Sequence, residues 1–142
     1  MTDQSKIGYH QLSAGFEFPP QSYQLEKDMV FDYLRAVGET NVLYQQDGLV
    51  PPLAVTAFAM SSLSEGLALP SGTIHVSQEL EFLALVSVGD TITCNSKVSR
   101  KIDRAGMHLM NVDITVHNQN QVIVLTGKVG FVLPEPNISN HP

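Results

Sequence analysis

The chain of 142 residues has no tryptophan, one cysteine (Cys94), and only 8 lysines and arginines against 14 aspartates and glutamates. Each shortage excludes something. A lone cysteine cannot form an internal disulfide, so no covalent staple is expected. A net charge of −6 without a long basic run lacks the footprint that holds phosphate backbones, so neither nucleic acid nor an anionic membrane is an expected partner. The longest apolar stretch, residues 49–63, is interrupted by two prolines, a threonine and two serines and is shorter than the roughly 20 residues of a bilayer span. The polar start Met1-Thr2-Asp3-Gln4-Ser5 has no apolar segment behind it to act as a signal peptide, which makes the cytoplasm the expected compartment. A glycine-rich phosphate loop, a Gly-x-Ser-x-Gly elbow, an i,i+4 histidine pair and Cys/His metal spacing are all missing, so no metal and no cofactor is expected.

What is present suits one domain over residues 1–133, long enough to bury roughly 70% of the surface its unfolded form exposes, with a flexible tail at 134–142. An Asn137-Ile138-Ser139 glycosylation match in that tail carries little weight for an intracellular chain. Met29, Val30, Tyr33, Leu34 and Val37 recur at helical spacing between acidic residues and Gly38, which predicts an amphipathic helix over 26–37. A second helix is predicted from Pro52 to about Gly66, apolar or small on nearly every face and therefore wrapped by other structure. From Thr73 the period changes to two: Ile74, Val76, Leu80, Phe82 and Ala84 alternate with polar residues. Further strands are predicted at 91–101, 107–117 and 121–133. The short links at 87–90, 103–106 and 118–120 predict antiparallel pairing of successive strands. The result is an α+β chain in which a long curved antiparallel sheet wraps around a central helix. A ferredoxin-like sandwich is the competing arrangement, but it interleaves its helices with strands, and here the strands come consecutively at the end.

Gly38-Glu39-Thr40-Asn41-Val42-Leu43-Tyr44, then Pro51-Pro52 and its helix, then His75-Val76-Ser77-Gln78-Glu79-Leu80-Glu81-Phe82 and Val88-Gly89-Asp90-Thr91 follow in an order that resembles the MaoC-like hot-dog dehydratases and (R)-specific enoyl-CoA hydratases, in their N-terminal-half variety. The resemblance spans most of residues 12–133 and implies the hot-dog fold. It further implies binding of an acyl-CoA or acyl-carrier-protein thioester, and a place in fatty acid metabolism as a lyase. In that family an aspartate and a histidine about five residues apart hold and activate one water. Here Gly38 and Asn41 match the pattern, Glu39 stands for the aspartate, Val42 for a proline and Tyr44 for the histidine. A phenol with a reference pKa near 10 is a poor base at neutral pH. The family also polarises the thioester carbonyl with a glycine N–H at the start of the central helix, whereas Pro51 and Pro52 have none and the first N–H groups belong to Leu53 and Ala54. The resemblance thus implies Glu39 and Tyr44 as candidate catalytic residues and Asn41, Leu53, Ala54 and Ala57 as candidate substrate-binding residues.

Family members with such departures often serve as the acyl-chain-holding half of a pair, so the implied partner is either a second copy or a catalytic hot-dog subunit, joined edge to edge. A thioesterase using Glu39 or Glu65 is the alternative from another enzyme class, although Glu65 falls at the C-terminal end of its helix, where the dipole disfavours a carboxylate. His75 is expected on a strand face with Ser77 and Glu79, opposite the apolar one. Arg100, Lys101 and Arg104 cluster at a predicted hairpin, where a solvated turn competes with a role on coenzyme A phosphates. Cys94 is expected to be an inert buried thiol.

Overall fold

The computed structural model describes residues 6–134. The Asn137-Ile138-Ser139 match and the tail lie outside them, except that Pro134 ends a strand. The elements are β1 (Ile7–Gly8) with a 3-10 turn at Tyr9–Gln11, β2 (Gln21–Gln24), α1 (Lys27–Val37), α2 (Val42–Gln45), α3 (Pro52–Gly66), β3 (Leu67–Ala68), β4 (Ile74–Phe82), β5 (Thr91–Arg104), β6 (Met107–His117) and β7 (Ile123–Pro134).

α1 forms where the 3.6-residue pattern predicts it. Val30 and Leu34 are buried on its inner side while Val37 is exposed, and Gly38 terminates it in the left-handed region at φ 72°, its N–H reaching the carbonyls of Arg35 and Leu34. α3 begins at Pro52, where a missing N–H costs the helix nothing. It buries Ala54, Val55, Ala59 and Leu63, but Leu53, Ala57, Ser61 and Ser64 form a stripe open to solvent, so the expectation of a helix wrapped on nearly all sides holds for one face only.

The five-stranded sheet has the order β2-β5-β6-β7-β4 and is antiparallel throughout, and a two-stranded parallel ribbon joins β1 to β3. β5, β6 and β7 form the expected hairpins. The link at 87–90 does not: β4 pairs with β7 at the far edge, and residues 83–90 carry the chain across to β5. A short loop rich in turn residues allows a hairpin but does not require one. β2, too short to announce itself by alternation, completes the other edge on β5.

One face of the sheet carries the core. Ile92, Cys94 and Val98 of β5, Met110, Val112, Ile114 and Val116 of β6, and Leu125, Val129, Phe131 and Leu133 of β7 are buried there together with the inner residues of α1 and α3. A bulge between His75 and Ser77 shifts the register of β4. It corrects the expected facing of His75, which comes opposite buried Phe131, ring centroids 5.3 Å apart, and so shares a face with Leu80 and Phe82 while Ser77, Glu79 and Glu81 lie on the other. β4 is also not half-buried: Ile74, Val76 and Phe82 are all exposed.

Docking of α1 through one face makes a sharp comparison available. Leu34→Ala should lower the unfolding free energy by about 2–5 kcal/mol and Val37→Ala by less than about 0.5, as read from urea denaturation midpoints at unchanged slope. Equal costs at the two positions would contradict this packing.

Candidate functional site

The segment after α1 is held by its own polar groups. One carboxylate oxygen of Glu39 accepts the backbone N–H of Asn41 at 2.9 Å, and the Glu39 carbonyl accepts the side-chain amide of Gln45 at 3.1 Å. Asn41 is the N-cap of α2, its side-chain oxygen accepting the N–H of Leu43 at 2.9 Å. Tyr44 packs half-buried against the core. Among the described residues no hydrogen bond joins the Glu39 carboxylate to the Tyr44 hydroxyl.

From α2 the chain returns directly to the helix. Leu49 N–H donates to Leu43 O at 3.2 Å, and Val50 N–H to Val86 O at 2.7 Å. Val50, Pro52 and Val55 then line an apolar cavity of about 240 Å³ whose other walls are Phe82 to Val86 and Val124 to Leu125. At the helix start, Ala54 and Val55 both donate to Pro51 O, at 2.9 and 3.3 Å, so the expectation of a free N–H on Ala54 is corrected. Leu53 keeps the one N–H of this first turn with no acceptor among the described residues, and its side chain is 59% exposed. Ala54 is fully buried and Ala57 is exposed, so the three helix candidates do not share one surface.

Other candidates fall elsewhere. Glu65 is exposed at the far end of α3. His75 donates or accepts at Ser77 O, 3.0 Å away. Of the three hairpin cations, Lys101 is turned onto the N-terminal segment. Its Nζ donates to Tyr9 O at 3.0 Å and Leu12 O at 2.9 Å and lies 4.1 Å from the Tyr9 ring, leaving only Arg100 and Arg104 exposed. Burial pushes the Cys94 thiol up to about 12, in keeping with an inert residue.

A cluster invisible in the sequence sits at the opposite end of the sheet. Tyr9 donates its hydroxyl to Asp103 Oδ1, and His108 Nδ1 lies 2.6 Å from the same oxygen. The hydrogen bonds from Tyr9 and then His108 hold the Asp103 carboxyl below the usual carboxylate range, while burial foremost and then Asp103 push the Tyr9 phenol up. Tyr9 and Asp103 are 94 positions apart, and no local pattern links them.

The sequence matches the FAS1-like dehydratase domain region over residues 13–127. The chain belongs to that family. Among solved structures it is similar to the unliganded R-hydratase PhaJ1 of Pseudomonas aeruginosa, with a TM-score of 0.78 at 19% identity over 96% of this chain and 94% of that one. It is likewise similar to a MaoC-like dehydratase of Rhodospirillum rubrum, with a TM-score of 0.74 at 17% identity over 92% of this chain and 99% of the other. A chain of the HadBC 3R-hydroxyacyl-ACP dehydratase complex of Mycobacterium tuberculosis gives 0.64 at 16%, covering 84% and 96%. At these identities the likeness is one of fold, and the fold is the hot-dog. No helix among the described residues is long and apolar enough to cross a membrane.

The Asp103 cluster sets an acid limit. A carboxyl whose folded value is depressed contributes stability in full above the ~3.9 of a free aspartate and loses it as the pH falls through the folded value. Asp103→Asn should therefore melt below wild type at neutral pH, and the two melting curves should converge as the pH falls below about 4. A gap unchanged down to pH 2 would show that the ionised carboxylate is not what Tyr9 and His108 bind.

Proposed function

We propose that this chain binds an acyl thioester, with the acyl tail in the apolar cavity beside the N-terminus of α3 and the carbonyl toward the N–H of Leu53. The observation that supports the reading is the short path along the chain from the Glu39–Tyr44 segment to the start of α3 and the apolar cavity. Leu49 bonds back to Leu43 of that segment, and Val50 bonds to Val86, both Val50 and Val86 lining the cavity. The positive end of the α3 dipole and one unengaged N–H suit a carbonyl oxygen that gains negative charge.

Hydration of an enoyl thioester adds hydroxyl to the β carbon and a proton to the α carbon. In this reading Glu39 takes the proton from water, and Tyr44 stands at the sequence position of the second holder. One carboxylate oxygen already engaged by Asn41 and a phenol in place of an imidazole make this a weak hydratase in isolation. That same deficit supports a second reading, in which the chain holds the acyl tail while a catalytic hot-dog subunit supplies the complete acid–base set. A thioesterase working through Glu65 draws no support from geometry, since Glu65 stands at the other end of α3 from the cavity.

Crotonyl-CoA at saturating concentration should raise the melting temperature of the wild-type protein by mass action. Loss of one of two proton-handling groups typically costs on the order of 10²–10⁴ in rate, so steady-state hydration should be slow, and Glu39→Gln should remove what remains without removing the thermal shift. Fast turnover abolished by Glu39→Gln would make Glu39 a sufficient base and overturn the weak-enzyme reading. Fast turnover unaffected by it would move the chemistry to another part of the chain.

A further inference from the structure

A second cavity lies beyond the far end of α3. It measures about 280 Å³ and sits between the Tyr9–Gln11 turn, the residues that follow β3 and the ends of β6 and β7. α3 spans 15 residues, or about 22 Å, so the cavity beside its start and this one past its close are separate. Ala68, Leu69, Pro70, Leu133 and Pro134 make the aliphatic wall. None of the described lining residues is an aspartate, glutamate, lysine or arginine, which disfavours a charged occupant such as a coenzyme A phosphate.

The rest of the wall is aromatic. The rings of Tyr9 and His108 stand 4.9 Å apart at 45°, and His10 meets both edge-on, 5.5 Å from Tyr9 and 5.9 Å from His108. Two of these three rings are fixed from behind. Tyr9 and His108 share Asp103 Oδ1, and Lys101 Nζ lies 4.1 Å from the Tyr9 ring. Side chains already held in place lose little freedom when a guest packs on them. An aromatic guest gains attraction from ring edges and faces beyond what buried area provides, and an aliphatic chain does not.

We infer that this cavity is a binding site for a small, neutral, bicyclic aromatic molecule with one polar hydrogen, of the indole or naphthol class. Size decides between one ring and two: a cavity of roughly 150 Å³ lined by Leu, Ile and Phe takes benzene, and the volume here is about 280 Å³. The polar hydrogen goes to His10, which is exposed at the rim and whose neutral imidazole offers one accepting nitrogen. Gly8 and Ala68, paired in the ribbon that closes α3, both line the cavity, so a ligand seated there also braces the ribbon.

The chain has no tryptophan, so the emission of added indole, excited where tyrosine does not absorb, is read without a protein background. Titration with wild-type protein should give a saturable blue shift with a Kd on the order of 0.1 mM for a ligand of this size. Amide NMR spectra of the same protein should show residues 8–10 and 68–69 moving with indole and residues 53–55 staying in place. Saturating crotonyl-CoA should not displace the indole. Ala68 is exposed, so Ala68→Phe adds a ring at the cavity without burying it in the core, and binding there should weaken at least about tenfold. The wild-type amide map decides the matter even where that variant fails to fold. Absence of a saturable shift, amide movement centred on residues 53–55 and 82–86, displacement by crotonyl-CoA, or unchanged binding to a folded Ala68→Phe protein would each overturn the site.

Discussion

Pairing of β4 with β7 is the constraint on which the rest of the structure depends. Once β4 lies at the far edge, residues 83–90 have to travel the width of the sheet to begin β5, and on the way they pair with the segment that leads into α3, through Val50 to Val86 and Val88 to Gly48. That crossing makes two walls of the apolar cavity and leaves Phe82, Leu83 and Leu85 at its mouth. The close approach of the two strands is permitted by glycine on β7. A Cβ at Gly130 would stand 2.3 Å from Ser77 Oγ, and one at Gly127 would stand 3.0 Å from the Glu79 carbonyl. The same pairing puts β4 at the end of the sheet order with no strand on its other side among the described residues, so the cavity, the crossing and the sheet edge have one origin.

The polar residues of the candidate site are largely occupied in shaping it. Glu39 and Asn41 hold the turn between α1 and α2, and Pro51 at the start of α3 accepts the N–H groups of Ala54 and Val55. The cavity itself is walled by apolar residues, from Val50, Pro52 and Val55 to Phe82–Val86 and Val124–Leu125.

At the other end of the sheet, Lys101 and Asp103 secure the N-terminal segment: the lysine through two carbonyls, the aspartate through the Tyr9 hydroxyl. These contacts fix the segment leading into Tyr9 that carries β1, which pairs with β3 directly after α3. α3 is thus bound to the fold at both ends, by the crossing at its start and by the ribbon at its close.

The sequence by itself determined α1, α3 and the β5–β6–β7 meander, because each depends on periodicity and on local stop signals such as Gly38 and Pro52. It also determined the position of the Glu39–Tyr44 segment along the chain and the replacements within it. Tertiary structure alone decided the partner of β4, the facing of His75 and the fate of Lys101. The link at 87–90 is compatible with a hairpin, and only the competition between sheet edges rules one out. A one-residue bulge inverts facing without changing composition. The two carbonyls that claim Lys101 lie some ninety positions away. Local sequence encodes backbone preference and burial periodicity over a few turns, whereas strand partners and long-range hydrogen bonds depend on which surfaces remain when the chain has closed on itself.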